Sequence, residues 1–407
     1  MNAECRMQNA EGARRRLISA FCILHSAFAL AANAQTFKLS GFLSAREEYV
    51  KAGPSWTHGG FGRFDVGADS SGDTVFRNTG VAQIGAEWTP MPWLTAHGQV
   101  LARSEPSGTQ GKRFGVVEAY ADLHTERWRL RAGQFFLPTS RENIDPLWTS
   151  PYTITWSAVN TWMGEEVRPI GADLQFAPNF YATLGATAFR GNDTMGTLPA
   201  ARGWGFGNRL SVYDERVAVP PPQGSTRPIG EDLDGKWGFS ERVRLSLPER
   251  AVLQITHLDN RSELVERRGQ IPWMTNFNHV GAQLGTTGPA TLAAEWLSGE
   301  TTIGFPGGTF TLDFATVYLL GSYKVGHQRI SARVERFSTR DHARSDPDFS
   351  REHGHAMTVA WFHELGEHAR YGLELIKVDG NHPGATGIGV GLNTGGTMVT
   401  AEARYKF

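Results

Sequence analysis

Val399-Thr400-Ala401-Glu402-Ala403-Arg404-Tyr405-Lys406-Phe407 closes the chain, and its alternation decides the fold. Val399, Ala401, Ala403, Tyr405 and Phe407 fall on one face. Thr400, Glu402, Arg404 and Lys406 fall on the other. A period of two is a strand with one apolar face. The pattern recurs upstream. In 94–104, Leu94, Ala96, Gly98, Val100 and Ala102 alternate with Thr95, His97, Gln99, Leu101 and Arg103. In 114–124, Val117, Ala119, Ala121 and Leu123 alternate with Glu118, Tyr120, Asp122 and His124. In 127–134, Trp128, Leu130 and Ala132 alternate with Arg127, Arg129, Arg131 and Gly133. In 289–297, Leu292, Ala294 and Trp296 alternate with Thr291, Ala293 and Glu295.

Such segments come mostly in pairs. A strand at 37–49 is followed by 78–89 with 94–104, 114–124 with 127–136, and 168–177 with 180–190. Then come 236–247 with 251–259, 276–286 with 289–299, 310–322 with 326–338, 355–363 with 367–378, and a last strand at 394–407. Tight turns carry turn chemistry at Thr89-Pro90-Met91-Pro92, Ala177-Pro178-Asn179, Pro248-Glu249-Arg250 and Leu365-Gly366-Glu367. Long connections fall near 50–77, 137–167, 191–235, 260–275, 339–354 and 379–393. Short turns alternating with long loops predict an all-β fold, a transmembrane antiparallel up-and-down β-barrel of about 16 strands with periplasmic turns and extracellular loops. Past the first 34 residues no apolar run is long enough for a helical span.

The apolar faces must then meet lipid, which satisfies no polar group. The charged faces must line the inside. Trp88, Trp93, Trp128, Phe180, Tyr181, Tyr323, Trp361, Tyr371 and Tyr405 sit beside the short turns or near the chain end, where an interfacial girdle requires them. About eight strands would leave room only for side chains, whereas about 16 to 18 leave an aqueous channel. Side chains on the inner face are mostly charged, Gln, Thr, Ser and Gly. They imply a wet, open interior rather than a dry plug, and passive diffusion of small hydrophilic solutes or ions, with anions preferred. The alternative is a non-conducting barrel with a structural or surface-binding role.

The front end fits export. Arg14-Arg15-Arg16 precede the apolar run Leu17 to Leu30, and Ala31-Ala32-Asn33-Ala34 precedes Gln35. This is a secretory signal peptide over 1–34, cut after Ala34, leaving an outer-membrane barrel domain at 35–407. Cys5 and Cys22 both lie in the leader. The mature chain therefore has no disulfide, thiol catalysis or Cys-ligated metal. A net charge of −1 gives no case for nucleic acid. Outside the barrel the expected partners are outer-membrane lipid and lipopolysaccharide.

The stretch Arg129-Leu130-Arg131-Ala132-Gly133-Gln134-Phe135-Phe136-Leu137-Pro138-Thr139-Ser140-Arg141-Glu142 resembles a segment of the phosphate-selective porin O and P family. There a strand runs into a Gly-Lys/Gln-Phe-x-x-Pro turn followed by an acid. Arg168-Pro169-Ile170-Gly171 looks like that family's Arg-x-x-Gly strand entry. Ala186-Thr187-Ala188-Phe189-Arg190-Gly191-Asn192 is similar to its Phe-Asn-Gly exit, with Arg190 where Asn is usual. The resemblance implies a 16-stranded porin and a homotrimer. It does not imply phosphate. That family's phosphate members carry a lysine cluster at the constriction, and this chain has none. Its inward arginines are countered by Glu87, Glu118, Asp122, Asp173, Glu295, Glu335, Glu374 and Glu402.

Candidate channel-lining residues are Arg103, Glu118, Asp122, Arg129, Arg131, Arg242, Arg244, Arg329 and Arg333. Opposite charges on adjacent strands set up a transverse field that screens solutes, or simply brace the wall. Segment 137–167 is the candidate constriction, with Pro138, Pro146, Trp148, Tyr152, Trp156 and Trp162, followed by Glu165, Glu166 and Arg168. Folded inward, it would narrow the lumen and offer flat aromatic faces to solutes. His363-Glu364-Leu365-Gly366-Glu367-His368 spaces its histidines wrongly for a helical zinc motif. Asp341, His342, Asp346, Asp348, His353 and His355 read as a solvated loop. Ser157 and Ser240 lack a base signature. No catalytic site, metal or cofactor is expected.

Overall fold

The alternating segments become strands because only ladder pairing satisfies the backbone of a chain whose every second side chain must face lipid. A computed structural model describes residues 36–407, except 69–72, 105–110, 220–222, 268–269, 306–307, 343–349 and 390. The leader with Cys5 and Cys22 lies outside the described residues, as do Asp346 and Asp348.

Among the described residues, sixteen strands close into one antiparallel barrel, each paired with its sequence neighbours. They are β1 (Thr36–Lys51), β2 (Thr74–Met91), β3 (Leu94–Arg103), β4 (Phe114–His124), β5 (Trp128–Gln134), β6 (Ile170–Asn179) and β7 (Ala182–Arg190). Next come β8 (Gly238–Leu247), β9 (Ala251–Asp259), β10 (Met274–Leu284), β11 (Ala290–Phe305) and β12 (Gly308–Val325). The wall ends with β13 (Gln328–Asp341), β14 (Glu352–Leu365), β15 (Ala369–Asn381) and β16 (Gly396–Lys406). Closure is β1 on β16, from Phe42 opposite Lys406 to Lys51 opposite Thr397. Phe407 seals the seam by exchanging backbone hydrogen bonds with Gly41, at 2.9 and 3.0 Å. A Cβ on residue 41 would collide with the Phe407 ring, so glycine is required there. Each strand foreseen in the sequence is present. The His363–His368 stretch is the hairpin joining β14 to β15.

The outer surface is apolar as expected. Leu130, Leu292, Val399 and Tyr405 are exposed, while Thr400, Glu402 and Arg404 turn inward and are buried. Trp88, Trp93, Trp128, Phe180, Tyr181, Tyr323, Tyr371 and Tyr405 are exposed at the turn end, where a girdle belongs. One residue departs from its assigned face. Val117 is fully buried at 0% exposure. The β3–β4 register shifts so that Gln99 faces Glu118 while Val100 faces Val116. Val117 is the extra residue of a β-bulge, and a bulge resets the phase of alternation.

The open interior is not what forms. The wall has unequal height: β5 has 7 residues and β12 has 18. At about 3.3 Å per residue the chain leaves the β5 wall far below the opposite rim. Segment 135–169 therefore enters the lumen rather than rising above it, and nearly all of it is buried. Segments 52–68 and 191–219 turn inward as well. Trp56, Phe64, Trp162, Leu198, Trp204 and Phe206 form one apolar cluster with the inward wall residues Phe277, Phe314, Phe337, Val378 and Met398. Much of the upper lumen is packed like a protein core, and water-accessible charge remains toward the turn end and in one hollow toward the loop end.

Candidate functional site

Segment 135–169 is the centre of the site. Ser157 starts its helix α1 (Ala158–Glu166), its hydroxyl accepting from the Asn160 N–H. The rest of the segment lacks regular structure, so its backbone amides need acceptors in a buried place. Inward glutamates of the wall supply them. Glu374 Oε2 and Oε1 accept from the amides of Ile154 and Thr155 at 2.6 and 2.8 Å. Glu335 accepts from Ala158 N at 2.9 Å, and Glu118 accepts from Phe136 N at 2.7 Å. Glu295 accepts from Arg141 N, and from Asn160 Nδ2 at 3.0 Å. Within the segment, Glu142 accepts from Ser157 N and Oγ. Arg333 bridges Glu142 and Glu335 and donates to Thr155 O at 2.8 Å. These carboxylates clamp the loop to the wall.

The constriction candidates are brought together here, but their rings face each other rather than solvent. Trp148 stacks on Phe136 at 4.4 Å and meets Trp156 edge-on at 4.9 Å. Trp162 packs against Trp204, Phe277 and Phe314. Tyr152, Trp156 and Trp162 are each 3% exposed, so they present no free stacking face. Glu165 pairs with Arg202 of the second inward loop. Glu166 accepts from Trp162 Nε1 at 2.6 Å and from the amides of Gly196 and Leu198. Burial pushes both carboxyls up to about 7. Arg168 lies over the Phe136 ring at 4.2 Å and donates to Val117 O and Gly164 O.

The lining candidates divide. Arg129 stays half-exposed beside Asp122, with Nε 2.8 Å from Oδ1. Arg131 lies over the Tyr120 ring at 4.2 Å. Arg244 is exposed on the inner face, and Arg329 sits 5.3 Å from the Tyr152 ring. Arg242 is buried against Asp173 at 2.6 Å. Arg103 donates to Leu210 O at 2.8 Å and lies 3.6 Å from Glu215. Arg333 is 0% exposed, so it braces the loop and touches no lumen water.

Water-accessible space remains at both ends of the lumen. Toward the turn end a hollow of about 510 Å³ is lined by Glu87, Thr95, His97, Tyr120, Asp122 and Arg129. Beside it, one of about 320 Å³ is lined by Asp145, Pro146, Leu147, Arg404, Lys406 and Phe407. Toward the loop end a hollow of about 240 Å³ holds Arg46, Arg77, Arg103 and Arg209 against Glu48 and Asp65. Between the levels, Gln99 Nε2 donates to Gln83 Oε1 at 2.7 Å, and Leu147 abuts Gly85.

Sequence reading missed loops 52–68 and 191–219 as parts of the interior. Trp56, Phe61, Phe64, Trp204, Phe206 and Val212 make them too apolar for solvated loops, and that was the available signal. Glu300, Asp313 and His342 bring ligand atoms within 4.8 Å of one another, as do Asp193, Asp232 and Asp234.

Solved barrels share this architecture. The outer membrane channel DcaP of Acinetobacter baumannii aligns with a TM-score of 0.60 at 13% identity, over 91% of this chain and 97% of that one. An anion-selective porin from Comamonas acidovorans gives 0.55 at 13% identity, over 91% and 99%. Outer-membrane OmpT of Vibrio cholerae gives 0.54 at 12%, over 91% and 98%. At such identities the likeness is one of fold. No family model matches the chain, and no curated protein matches it.

Proposed function

We propose that the chain is an outer-membrane porin, a narrow channel for passive diffusion of small hydrophilic solutes or ions. One observation carries this reading. The closed barrel is apolar outside, charged inside, and water-accessible from both ends of its lumen. A charged hollow at each end of a packed layer is the layout of a narrow conduit. The motif resemblance to the phosphate-selective porin O and P family supports it, without phosphate as the solute. Anion preference is the finer part of the proposal: the loop-end hollow holds four arginines, of which Arg46 pairs with Glu402 and Arg103 and Arg209 pair with Glu215. A solved neighbour is described as anion-selective.

A homotrimer is part of the proposal. Outward residues on β1–β4 and β16 include a patch of small ones, Ala45, Gly80, Ala82, Ala102, Ala119, Ala121, Ala401 and Ala403, beside larger ones such as Leu43, Phe76 and Ile84. The far wall shows Leu253, Ile255, Leu292, Leu319, Val334, Leu373 and Leu375. Small residues let walls approach closely, and bulky ones suit fluid acyl chains. Neighbouring OmpT of Vibrio cholerae has been solved in a trimer form.

The packed upper lumen favours the second reading, a sealed barrel with a structural or surface-binding role. Efflux of a small hydrophilic dye from liposomes separates the two. The porin reading expects leakage that depends on the protein, and tight liposomes would refute it.

A further inference from the structure

We infer that Leu147 is an apolar gate, and that the Leu147–Trp148 turn is the moving part that opens the partition. The inference rests on the channel reading above and adds the residue that controls it. Three observations meet at this point.

The first is position. Val81, Leu101 and Arg103 line the loop-end hollow, while Glu87, Thr95 and His97 line a turn-end one. On these same two strands only Gln83, Gly85 and Gln99 point inward between the hollows. Gln83 and Gln99 are buried and bonded to each other, and Gln99 Nε2 also reaches Leu147 O at 3.4 Å. Leu147 fills the seat left by Gly85. A Cβ there would stand 2.6 Å from Leu147 Cδ2. A branched apolar side chain in the layer between the hollows repels hydrated ions by dewetting.

The second is backbone strain. Leu147 and Trp148 are consecutive non-glycine residues with φ of 61° and 56°. L side chains rarely adopt this left-handed region. Two such residues in a row at a loop tip mark stored strain of the kind found in switching segments. The turn is pinched by backbone hydrogen bonds from Asp145 N to Thr149 O, 3.1 Å, and from Thr149 N to Asp145 O, 3.4 Å. The Trp148 stack on Phe136 holds it from the other side.

The third is room to move. Asp145, Pro146, Leu147 and Thr149 line the hollow of about 320 Å³ beside the seam. Pro146 is already exposed there, and its neighbour Ile144 is exposed too. Withdrawal of the turn into this space relaxes both left-handed residues, at the cost of the long Gln99 contact, the Trp148 contacts with Phe136 and Trp156, and the Asn143 hydrogen bond to Trp148 O. It joins the loop-end hollow to the turn-end ones.

The test uses single-channel conductance of the refolded barrel in planar bilayers, with heat-modifiable gel mobility as the folding control. Leu147→Gly removes the side chain and tolerates the same positive φ. It should raise conductance or open probability several-fold over the wild type. Leu147→Cys gives a second arm, because no other cysteine lies in 35–407. It should conduct better than the wild type, and benzyl methanethiosulfonate should close it again by restoring an apolar plug. A wild type that conducts, with both variants matching it and no response to the reagent, would overturn the gate alone. Silence from all three folded proteins would overturn the channel reading and the gate with it.

Discussion

Glu374→Ala should free the inward loop while leaving the barrel closed. Glu374 sits on β15, and its carboxylate accepts from the amides of Ile154 and Thr155 at 2.6 and 2.8 Å. Both ends are buried, so no water can replace the lost acceptor. A hydrogen bond to a charged acceptor contributes about 1.5–3 kcal/mol, and the pair therefore about 3–6 kcal/mol. The wall itself is untouched, since the backbone of Glu374 still pairs opposite Ala360 and Thr400. Glu335 and Glu295 keep their hold on Ala158 and Arg141, so the opening is local to the stretch near 150–156. At 1.4 kcal/mol per factor of ten, amide exchange at Ile154 and Thr155 should accelerate about 100- to 10,000-fold. Hydrogen exchange followed by mass spectrometry in detergent micelles reads this directly. Glu374→Gln keeps one carbonyl acceptor and should fall between. Unchanged exchange at both amides would refute the view that wall carboxylates anchor the loop.

Other outcomes follow from the same geometry. Leu319 lies on the outer face of β12 between Tyr323 and Asp313 and is 48% exposed. Leu319→Arg should cost about 2–4 kcal/mol of stability in vesicles, measured by guanidinium titration, as a cation near the bilayer midplane does. Arg129→Ala with Arg131→Ala removes cations at the turn-end hollow and should shift the reversal potential in a salt gradient toward cations; no shift would assign the pair to wall bracing. Glu165 and Glu166 bind protons more tightly folded than unfolded, because burial raises both to about 7. Their contribution to loop packing is complete below the unfolded carboxylate pKa and is lost as pH rises through 7. Conductance should therefore increase from pH 5 to pH 8, and the Glu165→Gln/Glu166→Gln double variant should flatten that profile.

Strand existence was legible because each strand is specified locally. Val399 to Phe407 show their faces without any partner, and the lipid face of β11 is fixed by Leu292, Ala294 and Trp296 alone. Val117 was not legible, since a bulge is set by pairing between strands and leaves no mark in the alternation of one. The inner charges were visible but their task was not. Glu335 and Glu374 look like pore-lining anions until the loop they clamp is in place, and Arg333 looks like a lumen cation until Glu142 covers it. Those pairings join residues far apart in the chain, and nothing in their local sequence encodes them. The aromatic content of 137–167 did signal inward folding. The same signal in Trp56, Trp204 and Phe206 went unread.

The most direct measurement is single-channel recording of the purified, folded wild-type protein in a planar bilayer under a salt gradient. Discrete conductance steps are expected from a charged conduit, with a reversal potential displaced toward anions if anions are preferred. A flat trace from protein shown to be inserted and folded would contradict it.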